Sequence, residues 1–186
     1  WEPEQITQVE DHGFNILTTG EHILFFRPIL DTVTVLAYAA AVTKKIQLIP
    51  STLILPLRHP VMMAKELISI DILSKGRLTA SVGIGGDYPR EFEALGVPIN
   101  ERGRRANEGI EIMQKLWSEE TFDYDGKIFQ LKGADMQPGP YQKGGPPLWV
   151  CGRSDPAMKR AAKYGDGWQP YMYTAAQVAE SVVKIK

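Results

Sequence analysis

The stretch "RLTASVGIGGD", residues 77–87, carries the pattern that decides the fold. An apolar run of strand length leads directly into three glycines, Gly83, Gly85 and Gly86. Glycine lets a chain turn sharply or approach a ligand closely, and it also simply ends strands. The full dinucleotide-binding fingerprint is absent, because Tyr88 and Pro89 follow where a third glycine would open a helix. Taken alone, the stretch leaves open both a ligand-binding loop and a plain turn.

Strand and helix patterns alternate on both sides of this stretch. We predict five main strands, each followed by a helix, over residues 14–17, 46–55, 77–84, 148–151 and 168–172. Such alternation with short connections is typical of parallel strands joined by right-handed crossovers. An open doubly wound sheet and a (β/α)8 barrel both fit this pattern.

The chain has 186 residues, whereas a complete barrel needs eight strands and about 250 residues. It begins and ends on predicted helices. We therefore interpret residues 1–186 as a single α/β domain, most of a TIM barrel whose first strand and last two strands are missing. A hairpin predicted around Asp125-Gly126 marks an insertion at about 119–146.

Capping residues predict where the helices begin and end. Asp31 and Asn100 are expected N-caps, and Pro60 fits the first position of a helix. A further helix begins at Asp155 and is closed by Gly165. These boundaries place loops directly after the predicted strands.

Composition narrows the classes of partner. A net charge of −1 argues against nucleic acid as the main partner. The single cysteine, Cys151, excludes an internal disulfide framework and favours a reducing cytoplasm. No apolar run approaches a membrane span, and no His, Cys and Asp cluster has metal-ligand spacing, so we expect neither a membrane nor a metal.

Two further loops follow predicted strands at the carboxyl end, where parallel barrels carry their sites. Gly152, Arg153 and Ser154 suit a phosphate, because Ser154 can cap a helix whose amino terminus attracts anions and Arg153 adds a permanent charge. A plain capping serine beside a surface arginine is the alternative. His22 could donate a proton or a hydrogen bond, or it is structural.

Several charged residues have ordinary interpretations. We expect Glu91 to be solvated, and we expect the arginines of residues 102–105 to form surface ion pairs with Glu101 and Glu108. Because Asp87 and Glu91 would repel an anion, the glycines of residues 83–86 are predicted not to be the main phosphate site. His59 is expected at a helix entry, and Cys151 is expected to be packed.

Longer phrases are more specific than any single loop. The signatures are Arg58-His59-Pro60, Asp71-x-Leu73-Ser74-x-Gly76-Arg77, Glu91-Phe92-Glu93-Ala94-Leu95-Gly96, Arg102-Gly103-Arg104-Arg105 and Gly165-Asp166-Gly167-Trp168. From Gly13 onward, in this order and spacing, the chain closely resembles the luciferase-like flavin and deazaflavin oxidoreductases. With Glu21-His22 it is most similar to the branch assigned to the deazaflavin coenzyme F420.

The resemblance implies a (β/α)8 barrel that holds a tricyclic ring at its carboxyl mouth and transfers a hydride to or from a small organic substrate. It implies F420, with FMN the alternative, and makes His22 a candidate catalytic residue. The cofactor-binding residues that it implies are Ser51 and Thr52, joined by a cis peptide, Gly83 and Gly85 at the ring's edge, and Gly152, Arg153 and Ser154 at the phosphate.

The resemblance also implies a homodimer. The helices over 31–43 and 60–73 are apolar on more than one face. The residues expected to offer this surface are Ala39, Ala40, Met62, Met63 and Ala64.

The chain departs from the family pattern at two places besides its missing strands. Pro50 stands where a small hydroxyl residue is usual, and few residues separate His22 from Asp31. Two other functions stay open. One is a non-catalytic flavin- or deazaflavin-binding barrel or truncated member of the family. The other is an unrelated phosphate-binding lyase or isomerase, which the absence of an obvious Schiff-base lysine disfavours.

Overall fold

The computed structural model describes residues 3–118 and 120–185. Its α-helices are α1 (Glu4–Asp11), α2 (Thr32–Val42), α3 (Pro60–Ser74), α4 (Pro89–Ala94), α5 (Arg102–Trp117), α6 (Asp155–Tyr164) and α7 (Ala175–Ile185). Its strands are β1 (Ile16–Thr19), β2 (Gln47–Pro50), β3 (Leu53–Ile54), β4 (Ala80–Gly83), β5 (Phe122–Asp125), β6 (Gln130–Ala134), β7 (Leu148–Cys151) and β8 (Gly167–Gln169). None of the helices within these ranges is both long and apolar enough to cross a membrane.

The strands outside the β5–β6 hairpin pair in parallel, as the alternating pattern predicts. β1 pairs with β2, and β3, β4, β7 and β8 follow one another in a second sheet. A bridge between Leu48 and Leu78 places β2 beside β4 as well. The predicted α/β class with a parallel sheet is therefore confirmed.

The single strand predicted over 46–55 is divided into β2 and β3. The division lies at Ser51–Thr52, and this peptide bond is cis, as the resemblance implies. Pro50 still pairs with Thr19 at the end of β2. The change in direction at residues 51 and 52 moves the chain from the edge shared with β1 to the edge shared with β4.

Most helix boundaries agree with the predicted caps. The Asp31 carboxylate accepts a hydrogen bond from the backbone N–H of Thr34 at 2.8 Å, and His59 enters α3 by accepting from Val61. Asn100 is a correction, because it lies in a short 3-10 helix, Ile99–Glu101, and α5 begins at Arg102 with no side-chain cap. The 3-10 turn continues directly into α5, so no free backbone N–H group is left for Asn100 to cap.

The core lies between the sheet and the helices α2, α3 and α5. It includes Leu36, Leu48, Leu67 and Ile110, which are all fully buried. The same burial corrects the predicted dimer surface. Ala39, Ala40, Met63 and Ala64 all belong to this core. Of the five residues expected to offer an interface, only Met62 is exposed.

The predicted hairpin is present as the antiparallel pair β5 and β6. Glu108 of α5 is buried. Its carboxylate accepts hydrogen bonds from three successive backbone N–H groups of the hairpin turn, those of residues 127–129, at 3.0 to 3.1 Å. The expected surface ion pair of Glu108 is therefore wrong, whereas Arg105 does pair with Glu101 at 3.1 Å. Residue 119, where the insertion was predicted to begin, and residues 1, 2 and 186 lie outside the described residues.

Candidate cofactor site

The carboxyl ends of the parallel strands are close neighbours, and we call this edge the mouth. A Cβ atom placed on Gly20, just after β1, would lie 3.4 Å from the carbonyl oxygen of Ser51. A Cβ atom on Gly83, at the end of β4, would lie 2.9 Å from Cγ2 of Thr52 and 3.7 Å from Cβ of Cys151. The glycines therefore allow the ends of β1, β2, β4 and β7 to approach one another closely.

Four polar side chains form a connected network beneath the mouth, which we call the polar network. The hydroxyl of Ser81 donates to Oε1 of Gln169 at 2.6 Å, and Nε2 of Gln169 donates to Oγ of Ser51 at 2.7 Å. Oγ1 of Thr52 lies 3.2 Å from Oγ of Ser81. The network joins β4, β8 and the two residues between β2 and β3.

Sequence reasoning found Ser51 and Thr52 but missed Ser81 and Gln169. A signal for Ser81 was present, since a hydroxyl in the middle of the apolar strand β4 needs a buried partner. Ser81 is fully buried. Gln169 carried no comparable signal, because a glutamine at the end of a short strand is ordinary at a surface.

The glycine loop after β4 is held by its own packing. Gly85 has φ +59°, a left-handed conformation that favours glycine. A Cβ atom there would lie 2.6 Å from Cγ2 of Ile54 and 3.5 Å from the ring of Phe92. The bare side of Gly85 therefore faces the protein, and the glycine is required by the neighbouring side chains before any ligand is considered.

The loop after β7 leads into the capped helix start that the sequence predicts. Gly152 has φ +142°, and its Cβ position would lie 2.6 Å from Cβ of Ala157, so only glycine lets α6 begin this close to β7. Ser154 caps α6 by accepting from the N–H of Ala157. The guanidinium of Arg153 is exposed, lies 5.5 Å from the ring centre of Tyr171 and pairs with no carboxylate of residues 3–118 or 120–185.

His22 is held on the β4 side of the mouth. Its Nδ1 atom lies 3.2 and 3.3 Å from the two carboxylate oxygens of Glu91. Its ring stacks on Phe25 at 4.1 Å and meets the edge of Tyr88 at 4.9 Å. His22 is thus a fixed, half-buried side chain and not a merely exposed one.

Glu91 corrects an expectation, because it is buried and not solvated. Its Oε1 atom accepts from the backbone N–H groups of Ile23 at 2.6 Å and Leu24 at 3.1 Å. These donors come from a segment that precedes Glu91 by more than sixty residues. They compensate the loss of water around the buried carboxylate.

A second buried carboxylate explains the Arg58-His59-Pro60 signature. Glu21 accepts from the N–H of Ile54 at 2.5 Å and from Nε of Arg58 at 2.9 Å. Nη2 of Arg58 also donates a hydrogen bond to Oδ2 of Asp31 at 2.6 Å, so Arg58 joins the loop after β1 to the start of α2. Burial works to lower the pKa of Arg58, but the two carboxylates outweigh it and hold that pKa above its ordinary value.

Cys151 is packed at the end of β7, as expected. Burial raises the pKa of its thiol. A thiol kept protonated is a poor nucleophile, so the mouth offers no activated cysteine.

The family model described as luciferase-like monooxygenase matches residues 2–186. The chain belongs to the luciferase-like monooxygenase family. This confirms the resemblance drawn from the signatures. The chain spans about half the length of the curated relatives it matches, and it is a partial-length member of the family.

Two relatives illustrate the range of the luciferase-like family. The chain is 34% identical over 142 residues to an uncharacterized protein of Mycobacterium tuberculosis, a match that covers 76% of this chain and 48% of that protein. It is 29% identical over 165 residues to the oxygenase component of a flavin-dependent trigonelline monooxygenase of Acinetobacter baylyi, covering 87% of this chain and 45% of the relative.

Solved structures show the same architecture. Monooxygenase RslO1 from Streptomyces bottropensis superposes with a TM-score of 0.87 at 28% identity, over 97% of this chain and 56% of that one. The coenzyme F420 dependent tetrahydromethanopterin reductase of Methanopyrus kandleri gives a TM-score of 0.84 over all of this chain and 57% of that one. At 22% identity this second likeness shows the fold alone.

The mouth of this luciferase-like chain fits a flat ring with a phosphate-bearing tail. The ends of β1, β2, β4 and β7 meet at glycines, where a flat group could approach the backbone. A capped helix start follows β7, and Arg153 there pairs with no carboxylate of residues 3–118 or 120–185. A flavin or a deazaflavin has this shape and charge.

Proposed function

We propose that this chain forms the cofactor-binding part of an oxidoreductase that uses F420, with FMN the alternative, to transfer a hydride to or from a small organic substrate. The observation that carries the proposal is the polar network of Ser51, Thr52, Ser81 and Gln169. It places hydroxyl and amide groups beneath a mouth that is otherwise closely packed. The hydride chemistry itself belongs to the cofactor.

The ring is proposed to lie over Ser51 and Thr52, with its edge along Gly83. Gly83 brings the end of β4 against Thr52, so the surface there is low and carries no large side chain. Gly85 supports the ring only indirectly, because its packing against Ile54 fixes the course of the loop.

The phosphate is proposed to bind at Gly152, Arg153 and Ser154. The amino terminus of α6 attracts an anion, and Arg153 supplies a charge that no carboxylate of the described residues neutralises. The hydroxyl of Tyr173 donates to the carbonyl oxygen of Arg153 at 2.6 Å and so braces this loop.

His22 is proposed as the residue that exchanges a proton or a hydrogen bond with the substrate. It is half-buried between aromatic rings, where a substrate would be shielded from water, and Glu91 orients it. A small molecule bound at the mouth would therefore contact the aromatic side chains around His22 and the polar side chains of the polar network. The lone cysteine supports a cytoplasmic location.

Titration of the purified protein with F420 and, separately, with FMN tests the proposal. Cofactor fluorescence gives each dissociation constant. Tighter binding of F420 supports the deazaflavin, tighter binding of FMN supports the alternative, and binding of neither overturns the proposal. Bound cofactor that is never bleached by candidate substrates would indicate a non-catalytic binding protein.

Ser81→Ala tests the role of the polar network. It removes the donor to Gln169 and frees the amide to rotate, so we expect cofactor binding to weaken about threefold to tenfold. Ser118→Ala, at the exposed end of α5, is the matched control and should leave the dissociation constant unchanged.

A further inference from the structure

The carboxylate of Glu91 is committed to accepting hydrogen bonds. It is almost fully buried, with 1% of its side chain exposed. Its Oε1 atom already accepts from two backbone N–H groups, those of Ile23 and Leu24. An ionised carboxylate has acceptor sites only, so any further hydrogen bond that it makes also needs a donor.

The remaining partner of Glu91 is Nδ1 of His22. This atom lies 3.2 Å from Oε1 and 3.3 Å from Oε2. In a neutral imidazole one ring nitrogen carries the proton and the other carries a lone pair. Because Glu91 offers only acceptors, the nitrogen that faces it has to be the one with the proton.

We infer that Glu91 is a positioning residue that fixes His22 as the Nδ1–H tautomer and leaves Nε2 with a free lone pair. Two aromatic contacts hold the ring in this orientation, a parallel stack on Phe25 with 4° between the planes and an edge contact with Tyr88. No residue of 3–118 or 120–185 forms a hydrogen bond with Nε2. The orientation of the ring is therefore set from the Nδ1 side alone.

The inference deepens the proposed function. Only the use of the Nε2 lone pair in catalysis rests on that proposal. A lone pair at Nε2 accepts a hydrogen bond or a proton, so His22 is prepared to meet a substrate group that carries an O–H or N–H. The tautomer itself is a property of the protein without cofactor. An incorrect assignment of the tautomer can thus be told apart from an incorrect proposed function.

Glu91→Gln separates the two roles of Glu91, which are to accept hydrogen bonds from the backbone of residues 23 and 24 and to fix the tautomer of His22. The Oε1 atom of the amide can keep both hydrogen bonds from the backbone of residues 23 and 24. Its NH2 group replaces Oε2, 3.3 Å from Nδ1, and donates where the carboxylate accepted. The loop is retained, but the charged acceptor is lost: only the neutral Oε1, which already accepts twice, still faces Nδ1 at 3.2 Å, so the Nδ1–H form loses its preference.

Nitrogen-15 NMR of the histidine rings measures the tautomer directly, at a pH of about 8.5 where an ordinary imidazole is neutral. His22→Asn identifies the signals of His22 among the three histidines. We expect the Nδ1–H form to dominate in the wild type by about tenfold or more, the preference that one charge-assisted hydrogen bond gives. We expect the preference for Nδ1–H to weaken in Glu91→Gln.

Two controls make the result specific. Glu93→Gln, an exposed change on α4, should leave the wild-type tautomer. Glu91→Ala should remove the preference and also speed hydrogen exchange at the amides of Ile23 and Leu24, which Glu91→Gln should protect. A dominant Nε2–H form in the wild type, or the same ratio of tautomers in the wild type, Glu91→Gln and Glu91→Ala, overturns the inference. Cofactor titration of the same variants reports on the proposed function separately.

Discussion

At the scale of single residues, Gly85 shows that a glycine in a candidate binding loop can be required by the protein itself. Gly85→Val would push a side chain into Ile54, 2.6 Å from the Cβ position, and would strain a backbone at φ +59°. We expect the free energy of unfolding to fall by about 2 kcal/mol or more, as measured by urea unfolding without cofactor.

Gly96 gives the matched control for that prediction. Its φ is +64°, and nothing lies within 4 Å of its Cβ position, so Gly96→Val carries the backbone strain without the clash. The difference between the two variants isolates the packing against Ile54. If Gly85→Val unfolds at the same urea concentration as Gly96→Val, the contact with Ile54 is not what requires the glycine.

Arg153 tests the phosphate assignment at the same scale. Arg153→Ala removes an exposed guanidinium beside the capped start of α6. We expect the affinity for the cofactor to fall by roughly 1.5–3 kcal/mol, the contribution of a hydrogen bond to a charged group. Fluorescence titration at low salt measures it, because salt screens an exposed charge.

Lys44→Ala is the comparison for Arg153→Ala. Lys44 is exposed in the loop that precedes β2, at the opposite end of the parallel strands from the mouth. Lys44→Ala removes one positive charge, as Arg153→Ala does, and should leave the dissociation constant of the cofactor unchanged. An equal loss in both variants would assign the effect to net charge and not to a phosphate site.

At the scale of elements, one carboxylate joins α1 to the loop before β2. Glu10 accepts from the backbone N–H groups of Ile46, Lys45 and Lys44 at 2.7 to 3.0 Å. The hydrogen bond from Ile46 is the largest cause that holds the pKa of Glu10 below its ordinary 4.5. A carboxyl whose pKa is lower in the folded state stabilises the fold above that ordinary value, and the contribution is lost as the pH falls through the folded-state pKa.

We therefore expect Glu10→Gln to destabilise the protein at neutral pH, on the order of 1 kcal/mol after solvent screening. The difference from the wild type should shrink as the pH falls below 4.5, because both side chains are then uncharged. Urea unfolding across this pH range measures it. Asp11→Asn, an exposed change on the same helix end, should show no such convergence, and a pH-independent difference for Glu10→Gln contradicts the linkage.

The elements also show how far sequence reasoning reaches. α6 and β7 have the predicted bounds, because glycines, prolines and a capping serine mark their ends locally. Glu91 and Glu108 were wrongly expected at the surface, since each is buried by backbone N–H groups from another segment of the chain. Pairings of this kind depend on which segments meet in three dimensions, and a single sequence carries no direct signal for them.

At the scale of the whole molecule, exposed apolar side chains on the outer helices predict self-association. Tyr38 of α2 and Met62 and Leu73 of α3 are 43%, 58% and 60% exposed, and α2 packs beside α3. Apolar surface of this kind is characteristic of protein interfaces. We expect light scattering at micromolar concentration to give twice the mass of one chain.

Met62→Glu should shift that mass toward a single chain, because it places a charge within the apolar surface. Leu95→Glu changes a side chain of 45% exposure just after α4 and should leave the mass unchanged. A single-chain mass for the wild type contradicts the predicted homodimer. The corrected surface differs from the predicted one because the small residues of both helices are used inside the core.

The polar network has a direction that its three hydrogen bonds impose. Ser81 has one hydroxyl proton and gives it to Gln169, so in its contact with Thr52 it can only accept. Gln169 in turn donates to Ser51. Donation therefore runs one way, from Thr52 to Ser51, and the hydroxyl proton of Ser51 is not consumed. This relay ends at the mouth on a donor, the Ser51 hydroxyl, which would suit a carbonyl oxygen on the rim of a bound heteroaromatic ring.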